Sequence, residues 1–244
     1  MRKTIAFVFA ALFMFSQAAW ARTIVIAQDA TWPPMEFVSE NKEIIGFSTD
    51  FMKAAAKEGG FQAEFKNVAW DGIFAGLDAG KYDAVCSSVT ITDERKATMD
   101  FSTPYFKVRQ ALVVPKDSPA TRIEDLKGKT AGGQIGTTGY FAIKKVDGVN
   151  SKSYDEIGLA MEDLFNGRID GVVCDDPVAA QYALQKPEYA AKLKIAAVLD
   201  TGDEYYGVAV KKGNKEVLDL INKGIEGVIT KGLDKELRKK WMGQ

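Results

Sequence analysis

The chain holds 244 residues, with 32 Lys and Arg against 33 Asp and Glu, a formal net charge of −1, and 46% hydrophobic residues. That balance argues against a nucleic-acid surface, which needs a basic field, while the length suits one large domain or two small ones with ample core. There is no histidine, which removes the commonest general base and the commonest transition-metal ligand together.

Arg2 and Lys3 precede an uncharged apolar run from Ile5 to Phe15, and Ala19-Trp20-Ala21 has the small-x-small pattern of a signal-peptidase site. The run is shorter than the roughly 20 residues that a membrane span requires. The sequence therefore predicts a signal peptide over residues 1–21 and an exported mature chain from Arg22, 223 residues with net charge −3.

Thr23 to Ala27 reads as a first buried strand. Ser48 or Thr49 is placed to cap a helix through Phe51 to Lys57, stopped by Gly59-Gly60. Ala63 to Phe65 is a short strand, Asp71 to Leu77 a helix, and Tyr82 to Cys86 the next strand. After Tyr105 the pattern changes: Gln110 to Val114 is an apolar crossing strand that ends at Pro115. A second α/β series follows, with a strand at 130–134, a helix from Tyr140 to Lys145, and a helix opened by Tyr154-Asp155 and running to Phe165. Its last elements are a strand from Ile169 to Cys174 and a helix with Pro177 in its first turn. Tyr206 to Val210 reads as a return strand, and Lys215 to Trp241 as helical tail with Val217, Leu218, Ile221, Ile225 and Val228 at i, i+3, i+4 spacing. Alternating strands and helices argue parallel sheets covered on both faces. Two crossings between two such units imply a hinge and a ligand-binding cleft at the carboxyl ends of the strands.

Cys86 and Cys174 end apolar strands in different units. An export compartment favours pairing, but a bridge there would lock the units together, so both read as buried free thiols.

Chemistry concentrates where strands end. Ser87, Ser88, Thr90 and Thr92 surround the strand end before Arg95, whose planar fork suits a carboxylate. On its own Arg95 is equally compatible with a surface helix position paired to Asp93 or Glu94. Gly136-Thr137-Thr138 forms the corresponding turn of the second unit, where helix N–H groups attract the same carboxylate and Thr138 can cap as well as donate. Asp175 and Asp176 precede Pro177, and one of them is accounted for as a helix cap. Asp175 is the better placed to face the cleft and take an ammonium. Trp32 and Trp70 follow first-unit strands and can clamp a side chain, with Asp29 beside them. The glycines at 132, 133, 136 and 139 fit neither a dinucleotide fingerprint nor a P-loop.

Several segments together resemble a known family: Asp29 to Phe37, Gly46 to Asp50, Thr90 to Arg95, Asp100 to Tyr105, Asp125 to Lys129, Gly136 to Thr138 and the closing Lys240-Trp241. They look like the periplasmic amino-acid-binding proteins of ABC importers, solute-binding protein family 3, and the resemblance covers residues 22–244. It implies an α/β, two-lobe periplasmic-binding-protein fold of type II with two hinge strands. The lobes expected are 22–110 with 206–244, and 111–205. Carried over residue by residue, Arg95 and the Thr138 backbone hold an α-carboxylate, and Asp175 with Ser88 and Thr90 holds the α-ammonium. Trp32 and Trp70 surround the side chain, whose polar atoms meet Asp29, Ser87 and Gln134. Tryptophan at both aromatic positions and Cys174 in the lining depart from the commoner pattern.

The resemblance implies a monomeric periplasmic protein, with no catalytic residue, metal or cofactor, that captures a free L-amino acid and delivers it to an ABC transporter permease at the inner membrane. No nucleic acid is expected as a partner. With Arg95 and Asp175 matched to the zwitterion, Asp29 is left over, which favours lysine, arginine, histidine or glutamine. The alternative is a cyclohexadienyl-dehydratase-like enzyme on the same scaffold.

Overall fold

A computed structural model describes residues 21–243; the signal peptide expected over 1–21 lies, but for its last residue, outside the described residues. Strand β1 (Thr23–Gln28) is followed by a small antiparallel sheet of β2 (Thr31–Trp32), β3 (Glu36–Val38) and β4 (Ile44–Ile45). Then come α1 (Phe47–Gly59), β5 (Gln62–Asn67), α2 (Ile73–Asp78), β6 (Ala84–Val85), α3 (Asp93–Thr98) and β7 (Met99–Phe101). Strand β8 (Phe106–Val108) leads to β9 (Gln110–Pro115), a 3₁₀ turn at Ile123–Leu126, β10 (Thr130–Gln134), α4 (Thr138–Lys144), β11 (Asn150–Tyr154) and α5 (Ile157–Phe165). The chain continues through β12 (Gly171–Asp175), α6 (Asp176–Ala180), α7 (Pro187–Lys192), β13 (Leu193–Val198), β14 (Glu204–Tyr206), β15 (Ala209–Lys211), α8 (Lys215–Thr230) and α9 (Leu233–Met242).

These elements form two five-stranded sheets, ordered β5-β1-β6-β15-β7 and β11-β10-β12-β9-β13. Each has a parallel set, β5-β1-β6 and β11-β10-β12, completed by antiparallel strands. Between the sheets β8 and β14 pair as an antiparallel ribbon. The chain therefore passes between two α/β lobes twice, once on each ribbon strand.

Apolar periodicity explains the helices. In α1, Phe47, Phe51, Met52, Ala55 and Ala56 are buried at helical spacing, and Gly60 closes the helix in the left-handed conformation at φ 79°. Val217, Ile221, Ile225 and Val228 of α8 pack in the same core, each contributing about 1.5–3 kcal/mol by leaving water. Leu112, Val114, Ile123, Leu126, Ala131 and Ile143 build a separate core in the second lobe.

Several local expectations are corrected. Gly46, at φ 131°, precedes α1, and neither Ser48 nor Thr49 caps it. Both are buried, and Thr49 Oγ1 donates to Gln28 Oε1 at 2.9 Å. The segment before α5 is a strand, β11, held parallel to β10. The return at 206–210 is two strands, because the chain leaves β8 at Tyr206 and joins β6 and β7 at Ala209. The tail is two helices broken at Gly232, φ 72°, so that Lys240 Nζ and Trp241 Nε1 reach back to Asp50 Oδ2 at 2.7 and 2.9 Å. Cys86 and Cys174 are buried and unbridged.

Candidate functional site

The carboxyl ends of β1, β6, β10 and β12 face one another across the gap between the lobes, with a small cavity between them. All ten candidate residues line it: Asp29, Trp32, Trp70, Ser87, Ser88, Thr90 and Arg95 from the first lobe, and Gln134, Thr138 and Asp175 from the second. Glu36 and Thr137 line it as well.

Arg95 is placed by its own helix. Thr92 caps α3 by accepting from Arg95 N at 3.2 Å, which turns the guanidinium back over the strand end. There Nη1 donates to Thr90 O at 2.8 Å and Nη2 crosses the gap to Gly136 O at 3.0 Å. Its carbon stands 5.4 Å over the Trp70 ring and 5.3 Å over Phe74. Burial lowers its pKa to about 10, opposed by Asp175, Glu94 and Glu204, so it stays charged at neutral pH. Two of its five N–H groups are used, which leaves donors for a carboxylate.

The second lobe meets it with the turn before α4. Gly136, at φ 71°, allows that turn, and Thr137 is the cap, accepting from Tyr140 N at 3.2 Å. Thr138 is therefore not the cap: its hydroxyl stands 3.5 Å from that of Thr90 across the gap. Asp175 ends β12, only 5% exposed, while Asp176 turns away, accepting from Arg109 N at 3.1 Å and pairing with its side chain. Asp175 Oδ2 accepts from Trp32 Nε1 at 3.3 Å and Tyr206 Oη at 2.5 Å, and Oδ1 from Gln110 Nε2 at 2.6 Å. Burial pushes its pKa up to about 6; these Tyr206 and Gln110 bonds pull down, and Glu204 and Asp176 push up.

Asp29, 4% exposed, is not left without donors as the sequence implied. Thr31 Oγ1 donates to Oδ1 and Gln134 Nε2 to Oδ2, both at 2.8 Å. Burial still raises its pKa against those bonds. Ser87 Oγ accepts from the Asp29 backbone at 2.8 Å, fixing the strand end rather than pointing at it from afar.

Glu36 is the lining residue that sequence reasoning passed over. It is fully buried, with Oε2 accepting from Ser88 Oγ at 3.1 Å and Oε1 without a hydrogen-bond partner among the described residues. Ser88 holds a left-handed backbone, φ 48°, uncommon for a non-glycine residue and costing about 1–3 kcal/mol. Burial drives the Glu36 pKa well up, and Asp29 and Asp175 add to it. The available signal was an acid between Met35 and Phe37 in an otherwise apolar strand.

Three carboxyl groups thus share a small, poorly solvated space with one guanidinium. Such a site can grip a carboxylate with Arg95 and a cation with what remains. Among the described residues no cluster of His, Cys, Asp and Glu is arranged to hold a metal ion, and no helix is long and apolar enough to cross a membrane.

The family model described as bacterial extracellular solute-binding proteins, family 3, matches residues 24–244. A protein named probable histidine-binding protein, from Neisseria gonorrhoeae, is 36% identical over 211 residues, 85% of this chain and 78% of that one. The ABC transporter arginine-binding protein 1 of Escherichia coli is 34% identical over the full length of both chains. Among solved structures, an ancestral arginine-binding protein bound to arginine superimposes with a TM-score of 0.85 at 42% identity, covering 90% of this chain and 98% of that one.

Proposed function

The chain belongs to the bacterial extracellular solute-binding proteins, family 3, with the two-lobe type II fold, and from that premise we propose that it captures a free L-amino acid with a cationic or amide side chain. In this reading it works in the periplasm as a monomer, after removal of residues 1–21, and hands its ligand to an ABC transporter permease. The lobes are 22–110 with 206–244, and 111–205.

Arg95, with the N–H groups at Thr138, takes the α-carboxylate; Asp175, with Ser88 and Thr90, takes the α-ammonium. Trp32 and Trp70 flank the side chain, and Asp29, Ser87 and Gln134 meet its polar end. The single observation that carries the side-chain preference is charge: Asp29, Glu36 and Asp175 line the cavity against Arg95 alone. A zwitterion matches only Arg95 and Asp175, and burial holds the Glu36 proton well above the ordinary carboxylate range, so a positive side chain answers the one acid left over, Asp29. Sequence reasoning reached the same preference from a missing donor at Asp29; the structure supplies that donor, and the argument now rests on charge. The names of the relatives point the same way. Those names are of binding proteins, and the dehydratase alternative is not favoured.

A thermal-shift panel of the twenty amino acids tests this. Stabilisation by arginine, lysine, histidine or glutamine is expected; stabilisation only by leucine-like or acidic amino acids would overturn the preference.

A further inference from the structure

Two residues outside the cavity lining reach into the site through Asp175. Tyr206 ends β14, and its fully buried ring stacks on Phe106 of β8 at 5.5 Å and 19°, with Tyr105 at 6.1 Å. Its hydroxyl has one hydrogen-bond partner among the described residues, Asp175 Oδ2. Gln110 opens β9 directly opposite Asp175 in the ladder. Its Nε2 is 2.6 Å from Asp175 Oδ1, 2.9 Å from Glu204 Oε2 and 3.0 Å from Thr138 Oγ1. The two residues stand at the two places where the chain passes between the lobes. Each supplies a neutral donor to a different oxygen of the same carboxylate.

We propose that Tyr206 and Gln110 are positioning residues for amino-group recognition: they orient the Asp175 carboxylate toward the ligand's ammonium and fasten it to the ribbon that joins the lobes. The inference rests on the reading of Asp175 as the ammonium acceptor. The need for such residues is physical. Asp175 is almost without water, and the ionisable groups around it are mostly acids: Glu204 on β14, Asp176 at the start of α6 and Glu36 on β3, with Arg95 on α3 the cation that faces it. In that company a carboxylate keeps its charge only if donors compensate for lost hydration. Removing either donor makes Asp175 hold its proton to higher pH, and a protonated Asp175 no longer attracts an ammonium. The stacked ring means that Tyr206→Phe deletes the hydroxyl and keeps the packing.

The test is calorimetric titration of L-arginine into the full protein and into Tyr206→Phe at pH 5 to 8, with melting curves to verify folding. The wild type is expected to lose affinity as pH falls through about 6, the value to which burial raises Asp175. Tyr206→Phe is expected to bind about 10- to 150-fold more weakly at pH 7.5, the equivalent of one lost hydrogen bond to a charged group. The midpoint of its pH profile should move up by about one unit. Gln110→Met, tested alongside, should move the midpoint in the same direction. Affinity that is unchanged, or lowered equally at every pH with the midpoint in place, would overturn the positioning role. A wild type that binds neither L-arginine nor L-glutamine would instead remove the reading of the site, and the inference with it.

Discussion

Gln134 Nε2 donates to Asp29 Oδ2 at 2.8 Å, joining the end of β10 in one lobe to the end of β1 in the other. The same amide nitrogen reaches Asp155 O at 2.7 Å, so both its protons are used and its orientation is fixed. Asp29 is consequently a held acceptor in the lining of the cavity.

If that carboxylate recognises a positive side chain, Asp29→Asn should discriminate between ligands. Affinity for arginine is expected to fall roughly 10- to 100-fold, about 1.4–3 kcal/mol. Affinity for glutamine should change less than about fivefold, because an amide side chain bonds to either residue. Calorimetric titration of both ligands into both proteins checks this, and equal losses would contradict it.

Stability should carry the signature of three buried acids. Asp29, Glu36 and Asp175 all hold their protons more tightly folded than unfolded, chiefly because burial disfavours the charged forms. A raised folded pKa gives stability that is present below the unfolded value and lost as pH rises through the folded one. For Asp175 that window runs from about 3.8 to about 6. Asp125, held down to about 2 by the Thr121 backbone and Arg122, and Asp163, held low by Lys152, Tyr154 and Arg168, act oppositely but only below their ordinary range. The melting temperature of the ligand-free protein should therefore rise as pH falls from 7.5 to 5. Asp175→Asn should raise it at pH 7.5 and flatten the slope. A melting temperature that drops over that interval would contradict the reading.

The thiols should be inert in the native state. Cys86 and Cys174 are buried, and burial pushes both well above the ordinary thiol range, with Glu36 adding to the first and Asp175 to the second. Since the thiolate is the nucleophile, an aromatic disulfide reagent at pH 8 should titrate about no thiol before denaturant and two after it. Rapid native reaction of either would show that its strand end opens.

The site was legible where chemistry is local. Hydroxyls beside Arg95 and an acid before Pro177 stand out because polar residues crowd the ends of apolar strands, and that is where α/β sheets hold ligands. Residues whose role depends on distant partners were not legible. The Tyr206 hydroxyl finds its acceptor 31 positions away, and nothing near Gln110 in sequence hints at Asp175. Glu36 lay within a quoted motif, yet its burial arises only when β3 folds beneath Ser88. The fold shows the same division. Buried strands such as β1 and β9 announce themselves by apolar runs, whereas β11, Asn-Ser-Lys-Ser-Tyr, is mostly exposed and exists through its pairing with β10. The tail keeps one apolar period across Gly232, so periodicity alone joined α8 to α9.

The most direct test of the account is calorimetric titration of L-arginine into the wild type and Arg95→Ala at pH 7.5. One-to-one binding to the wild type is expected, with a loss of at least about 100-fold in the variant, near 3 kcal/mol, because a buried charged partner is removed. Melting should show the variant folded. Retained affinity in Arg95→Ala would contradict the account at its centre, since among the described residues no other cation lines the cavity.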